Sequence, residues 1–100
     1  MFKKITILTS LLLPFFVFAN ELPTSKISLE VKQAGVRDVI ENMLKTSNLK
    51  YEIDPQITNA TKVSIEVKKM EWSSVFQDIL NQSKLVYNFD QVGKIHIAKR

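Results

Sequence analysis

The chain contains no cysteine, and that absence excludes several things. No disulfide can brace the fold, no thiolate can act as a nucleophile, and no lipid can be attached through sulfur at an export cleavage point. Glycine is nearly as scarce: Gly35 and Gly93 are the only two. They cannot supply the GXXG clamp of a KH module or a glycine-flanked serine elbow. There is one histidine, His96, with no other metal-ligand residues spaced around it in a recognisable pattern. Charge of one sign is also in short supply. Lysine and arginine total 14 against 10 aspartate and glutamate. Two of those lysines, Lys3 and Lys4, belong to the N-terminal segment, and the small remaining excess does not indicate a nucleic-acid partner.

Long apolar runs are limited to one. Lys3 and Lys4 precede the apolar stretch from Ile5 to Phe18, and Val17-Phe18-Ala19 ends it with a small residue. These are the parts of a secretory signal peptide, residues 1–19, with cleavage expected after Ala19. The stretch is shorter than the roughly 20 residues that span a bilayer and is interrupted by Thr6, Thr9, Ser10 and Pro14, which disfavours a retained anchor. No second apolar run follows, so a free, exported chain of about 80 residues is expected, enough for one domain. A domain of that size without disulfides must rely on a well-ordered apolar core.

After a short leader, residues 20–25, the periodicity is clear. From Lys26 to Lys32, Ile27, Leu29 and Val31 alternate with Ser28, Glu30 and Lys32, as in a half-buried strand. Past Gly35, the residues Val36, Val39, Ile40, Met43 and Leu44 recur at helical spacing as far as Ser47. Leu49, Tyr51 and Ile53 alternate before Asp54-Pro55 stops the strand. The same order then repeats: Val63, Ile65 and Val67 as strand, Trp72, Val75, Phe76, Ile79 and Leu80 as helix stripe, and Leu85, Tyr87 and Phe89 as strand. A turn over residues 90–93 leads to a last strand, Lys94 to Ala98, with Ile95 and Ile97 inward and His96 outward. The expected fold class is α+β: two β-α-β units plus a final strand, with two helices packed against small sheets. Strand order is not readable from this pattern.

The two units are similar in residues as well as in plan. Residues 26–54 align with residues 62–90 without a gap, at a constant offset of 36. Identical pairs include Lys26/Lys62, Ser28/Ser64, Glu30/Glu66, Lys32/Lys68, Ser47/Ser83, Tyr51/Tyr87 and Asp54/Asp90. Shared architecture explains matched apolar positions but not matched surface lysines and glutamates, so an internal duplication is expected.

The arrangement resembles the short N-terminal domain shared by outer-membrane secretins and signal-transducing TonB-dependent receptors. The residues that carry the resemblance are Ile27-Ser28-Leu29-Glu30-Val31, the helix from Val36 to Leu44, Leu49 to Pro55, and Val63-Ser64-Ile65-Glu66-Val67. The second helix, Leu85-Val86-Tyr87 and Lys94-Ile95-His96-Ile97 complete it. The resemblance implies a periplasmic domain, residues 26–100, with two helices between a two-stranded and a three-stranded sheet. It also implies protein partners and no catalysis. Those partners would be a secretin, an inner-membrane assembly protein or an anti-sigma regulator. Unlike those families, the sequence stops at Arg100 without pore-forming strands or a receptor barrel, so a stand-alone domain rather than a channel is expected.

Candidate chemistry is sparse, and no catalytic, cofactor or metal site is expected. A small hydrolase, or an inhibitor of one, is the remote alternative. His96 on an outward strand face reads as solvated. Asp54 and Asp90 end equivalent strands and could be paired as in a glycosidase, but aspartate before a turn ordinarily bonds its neighbouring amides. Trp72 and Phe76 share a helical stripe with aliphatic residues and read as core, not as a stacking platform. What remains is surface: edge strands open to a partner strand, and two outward rows, Ser28, Glu30, Lys32 and Ser64, Glu66, Lys68, as candidate partner-binding residues.

Overall fold

The computed structural model describes residues 21–100; the expected signal peptide lies outside them. In order the elements are β1 (Lys26–Gly35), α1 (Val36–Thr46), β2 (Tyr51–Ile53), β3 (Lys62–Glu71), α2 (Trp72–Gln82), β4 (Leu85–Phe89) and β5 (Ile95–Lys99). The fold is α+β with two small sheets, an antiparallel β1-β3 ribbon and a three-stranded sheet of order β2-β5-β4. In the second sheet β5 runs parallel to β2 and antiparallel to β4.

The helices form because their apolar residues fall on one stripe, and that stripe is what they bury. Val36, Val39, Ile40, Met43 and Leu44 of α1 and Trp72, Val75, Phe76, Ile79 and Leu80 of α2 are all buried. They meet Ile95 and Ile97 of the central strand, Leu85, Ile53, Ile57 and Val63 in one continuous core, with Leu29, Val31, Ile65 and Val67 of the ribbon packed on it. Among the described residues no polar or charged residue is buried, so the core is built from apolar side chains, as a cysteine-free small domain requires, with the Trp72 indole nitrogen buried in it without a hydrogen-bond partner. Trp72 and Phe76 stack at 4.6 Å between ring centroids inside this core, as their place on the stripe predicts.

Neither helix carries its own N-terminal cap; each borrows one. For α1 the amide of Asp38 donates to Asn59 Oδ1 at 3.0 Å and that of Val36 to the Thr61 carbonyl at 2.9 Å. For α2 the amides of Trp72 and Ser73 donate to the carbonyls of Ser25 and Pro23 at 2.8 and 3.1 Å. The segment before β1 therefore has a structural task, satisfying helix donors that would otherwise be orphaned. Gly35 is required by packing, because a Cβ there would run into the Asn59 side chain that caps α1.

The strands differ from the sequence expectation in extent. β1 and β3 reach Gly35 and Glu71, past the points where alternation fails, because each contains a bulge. β2 begins at Tyr51 and excludes Leu49, since Asn48 takes a left-handed turn (φ 64°) on leaving α1.

Candidate docking surface

The ribbon is built around two matching irregularities. Lys32 and Gln33 together oppose Ser64, and Lys68 and Lys69 together oppose Ser28. The second residue of each bulge is left-handed, Gln33 at φ 49° and Lys69 at φ 52°. In each case its amide donates to the serine across the ribbon, Gln33 N–H to Ser64 Oγ at 3.0 Å and Lys69 N–H to Ser28 Oγ at 3.1 Å. A left-handed backbone costs a non-glycine residue about 1–2 kcal/mol, and the serine hydroxyl offsets part of it by pairing an amide that the bulge removes from the ladder. The two serines thus hold the ribbon's shape while remaining on its exposed face.

Between the bulges, Glu30 lies directly opposite Glu66. Like charges in that position repel, by roughly 0.2–1 kcal/mol on the scale of cross-strand pairs. Among the described residues neither glutamate has a cationic partner; the lysine and arginine ion pairs are Arg37–Glu41 and Lys94–Glu52, and the carboxylates near His96 are Asp90 and Glu52. On either side of the glutamates lies a shallow depression, of about 230 Å³ beside Lys32 and Ser64 and about 250 Å³ beside Ser28 and Lys68. The six residues singled out from the sequence therefore share one exposed face, with two carboxylates at its centre and Lys32 and Lys68 in the flanking bulges.

A second polar cluster, not apparent from the sequence pattern, lies on the three-stranded sheet. His96 is paired rather than solitary: its Nε2 is 2.9 Å from Asp90 Oδ2 and its Nδ1 is 3.9 Å from Glu52, which also meets Lys94 at 3.6 Å. Asp90 Oδ1 accepts the amides of Val92 and Lys94, both at 2.9 Å. The His96 hydrogen bond, then that from the Lys94 amide, lowers the Asp90 carboxyl to about 2. The local part of the cluster could have been found, since a hairpin turn over residues 90–94 brings Asp90 back to His96. Glu52 could not, because its approach depends on the parallel β2-β5 pairing. Asp54 Oδ1 likewise accepts the Gln56 amide at 2.9 Å. Both aspartates thus serve turns, as expected. The described residues include no group of three or more His, Asp or Glu side chains placed to hold a metal. Arg37 ties the loop after β2 to α1, donating from Nη1 to the carbonyls of Ile57 at 2.8 Å and Asp54 at 3.2 Å.

No protein-family model matches the sequence, and no curated protein matches it. Solved structures do match. The N0 domain of the type II secretin from enterotoxigenic Escherichia coli superposes with a TM-score of 0.65 at 15% identity, covering 76% of this chain and 96% of that domain. XcpQN012 gives a TM-score of 0.59 at 13% identity over 77% of this chain and 37% of its own. A protein of Parabacteroides distasonis described as an anti-sigma factor gives 0.60 at 16% identity, over 73% and 34% respectively. The chain has the fold of the secretin N0 domain, as the sequence resemblance implied. No helix among the described residues is long and apolar enough to cross a membrane.

Proposed function

We propose that this protein is a periplasmic docking module that binds a protein component of an envelope-spanning machine of the secretin type, in secretion or in type IV pilus assembly. The observation that carries this reading is the fold likeness to a secretin N0 domain over almost that domain's whole length. The chain would be exported on its N-terminal segment and would work through surface contacts, without catalysis. Its ribbon arises from a duplicated strand-helix-strand unit, and the partner reads the outward face of that ribbon. There Glu30 and Glu66 offer two carboxylates to a cationic side chain, while the outer edges of β1 and β3 offer backbone for strand addition.

The experiment is crosslinking in intact envelopes followed by capture and mass spectrometry, with Glu30→Lys and Glu66→Lys compared with the unaltered protein. Recovery of a secretin or an inner-membrane assembly protein, reduced in the substituted proteins, is the expected result. Unchanged recovery after both substitutions removes this face from the account. The fold of the Parabacteroides protein favours a second reading, a regulator in TonB-dependent cell-surface signalling; capture of an anti-sigma regulator in the same experiment would select it.

A further inference from the structure

At the end of the three-stranded sheet where β4 starts and β5 finishes, a cleft of about 330 Å³ opens between α1, the loop after β2 and the C-terminal end of α2. Its apolar wall is Val36, Ile57 and Leu85, and Lys84, Lys99 and Arg100 also line it, with no aspartate or glutamate among the lining residues. All three cations are exposed, and none of them forms an ion pair among the described residues. Arg100 is held in place, its amide donating to the Lys84 carbonyl at 3.0 Å and its Nη2 to Asn81 Oδ1 at 3.3 Å. Ser83 also lines the cleft, and its hydroxyl is buried without a hydrogen-bond partner.

The cleft continues along β4. Leu85 and Arg100 also line a second, smaller depression of about 170 Å³, which Leu80, Val86 and Tyr87 share. β4 is an edge strand, so one row of its backbone donors and acceptors is unpaired in the sheet. Val86 on it is 39% exposed, an unusual value for a large apolar side chain in this domain. The other end of the sheet is charged differently, since the carboxylates Glu52 and Asp90 lie there, Glu52 paired with Lys94 and Asp90 hydrogen-bonded to His96.

We propose that the cleft and the free edge of β4 form a second docking site, which takes an extended, carboxylate-bearing segment of a protein partner. The segment adds to β4 through backbone hydrogen bonds, seats an apolar side chain over Leu80, Val86 and Tyr87, and brings carboxylates to Lys84, Lys99 and Arg100. A free anion would use the cations but neither the strand edge nor the apolar depression. This site is separate from the ribbon face and does not depend on it.

The test is fluorescence anisotropy of the purified protein with a labelled octapeptide of alternating valine and glutamate, alongside the same peptide with lysine in place of glutamate. The glutamate peptide should bind at least about tenfold more tightly, lose affinity as salt is added, and lose at least about tenfold in the doubly substituted Lys84→Glu, Lys99→Glu protein. Both positions are exposed, and circular dichroism checks that the variant folds. In NMR titration the amide signals of Leu85 to Phe89 should move. Trimming the ribbon carboxylates with Glu30→Gln and Glu66→Gln, which places no cation there, should leave the charge-reversal loss at Lys84 and Lys99 in place, so the result is independent of the ribbon reading. Equal affinity for the two peptides, or no effect of the charge reversals, overturns the proposal. Inorganic phosphate shifting Lys84, Lys99 and Arg100 while the peptide leaves the β4 amides unmoved would identify a simple anion site and also overturn it.

Discussion

The two halves of the domain, residues 26–54 and 62–90, use the same geometry and support it differently. The helices start and stop 36 residues apart, at Val36–Thr46 and Trp72–Gln82. The left-handed residues follow the same offset, Gln33 with Lys69 and Asn48 with Lys84. So do the serine-to-bulge hydrogen bonds and the carbonyls that receive the first helix amide, Thr61 and Ser25. The correspondence centres on the Glu30–Glu66 pair in one sheet. In the other it centres on His96, which has Glu52 of β2 on one side and Asn88 of β4 on the other. The strand β5 has no counterpart, and it is where the halves diverge: Asp90 reaches His96, whereas Asp54 serves its own turn. Equivalent positions therefore share backbone conformation more faithfully than they share partners.

The largest effect expected from breaking this comparison lies in the core. Phe76 and Ile40 occupy equivalent, fully buried positions. Phe76→Ala should cost about 3–5 kcal/mol and Ile40→Ala about 2–5 kcal/mol in denaturant unfolding, with the phenylalanine the more severe because Trp72 and Tyr87 also lose their aromatic neighbour. The helix caps should respond asymmetrically. Gly35→Ala, which drives a methyl into Asn59, should destabilise by about 1–3 kcal/mol, whereas the equivalent Glu71→Ala should change thermal stability little, because Pro23 and Ser25 cap that helix through their carbonyls.

Smaller and equal effects are expected at the bulges. Ser28→Ala and Ser64→Ala each remove one acceptor from an exposed amide and should each cost about 0.5–1 kcal/mol; unequal losses would show that the halves are not energetically equivalent. The subtlest difference is in pH dependence. The Asp90 carboxyl is lowered to about 2 by His96 and neighbouring amides, so its contribution to stability is present above about pH 4 and is lost as pH falls toward 2. Asp90→Asn should flatten that part of the acid-unfolding curve.

The element types were legible in the sequence because strand and helix periods are separated by Gly35 and by Asp54-Pro55, and burial follows the apolar positions. The sheet pairing was not, because nothing in the Ile95-to-Lys99 strand encodes that it inserts between β2 and β4. The bulges were hidden for a different reason. Ser28 and Ser64 look like ordinary outward polar residues, and the left-handed residues Gln33 and Lys69 are neither glycines nor identical to each other. The six residues of the candidate surface were legible as two rows, but not their meeting on one face, which needs the antiparallel register that sets Glu30 against Glu66. The basic cleft is less legible still, since it joins Val36, Ile57, Leu85 and Arg100 from four separate parts of the chain.

The most direct measurement of the docking account is site-specific photocrosslinking in living cells from positions 30 and 66 on the ribbon, with position 78 on the exposed side of α2 as reference. The account predicts adducts with a secretin or an inner-membrane assembly protein from positions 30 and 66 and none from 78. Adducts from 78 alone, or equal adducts from all three positions, would contradict it.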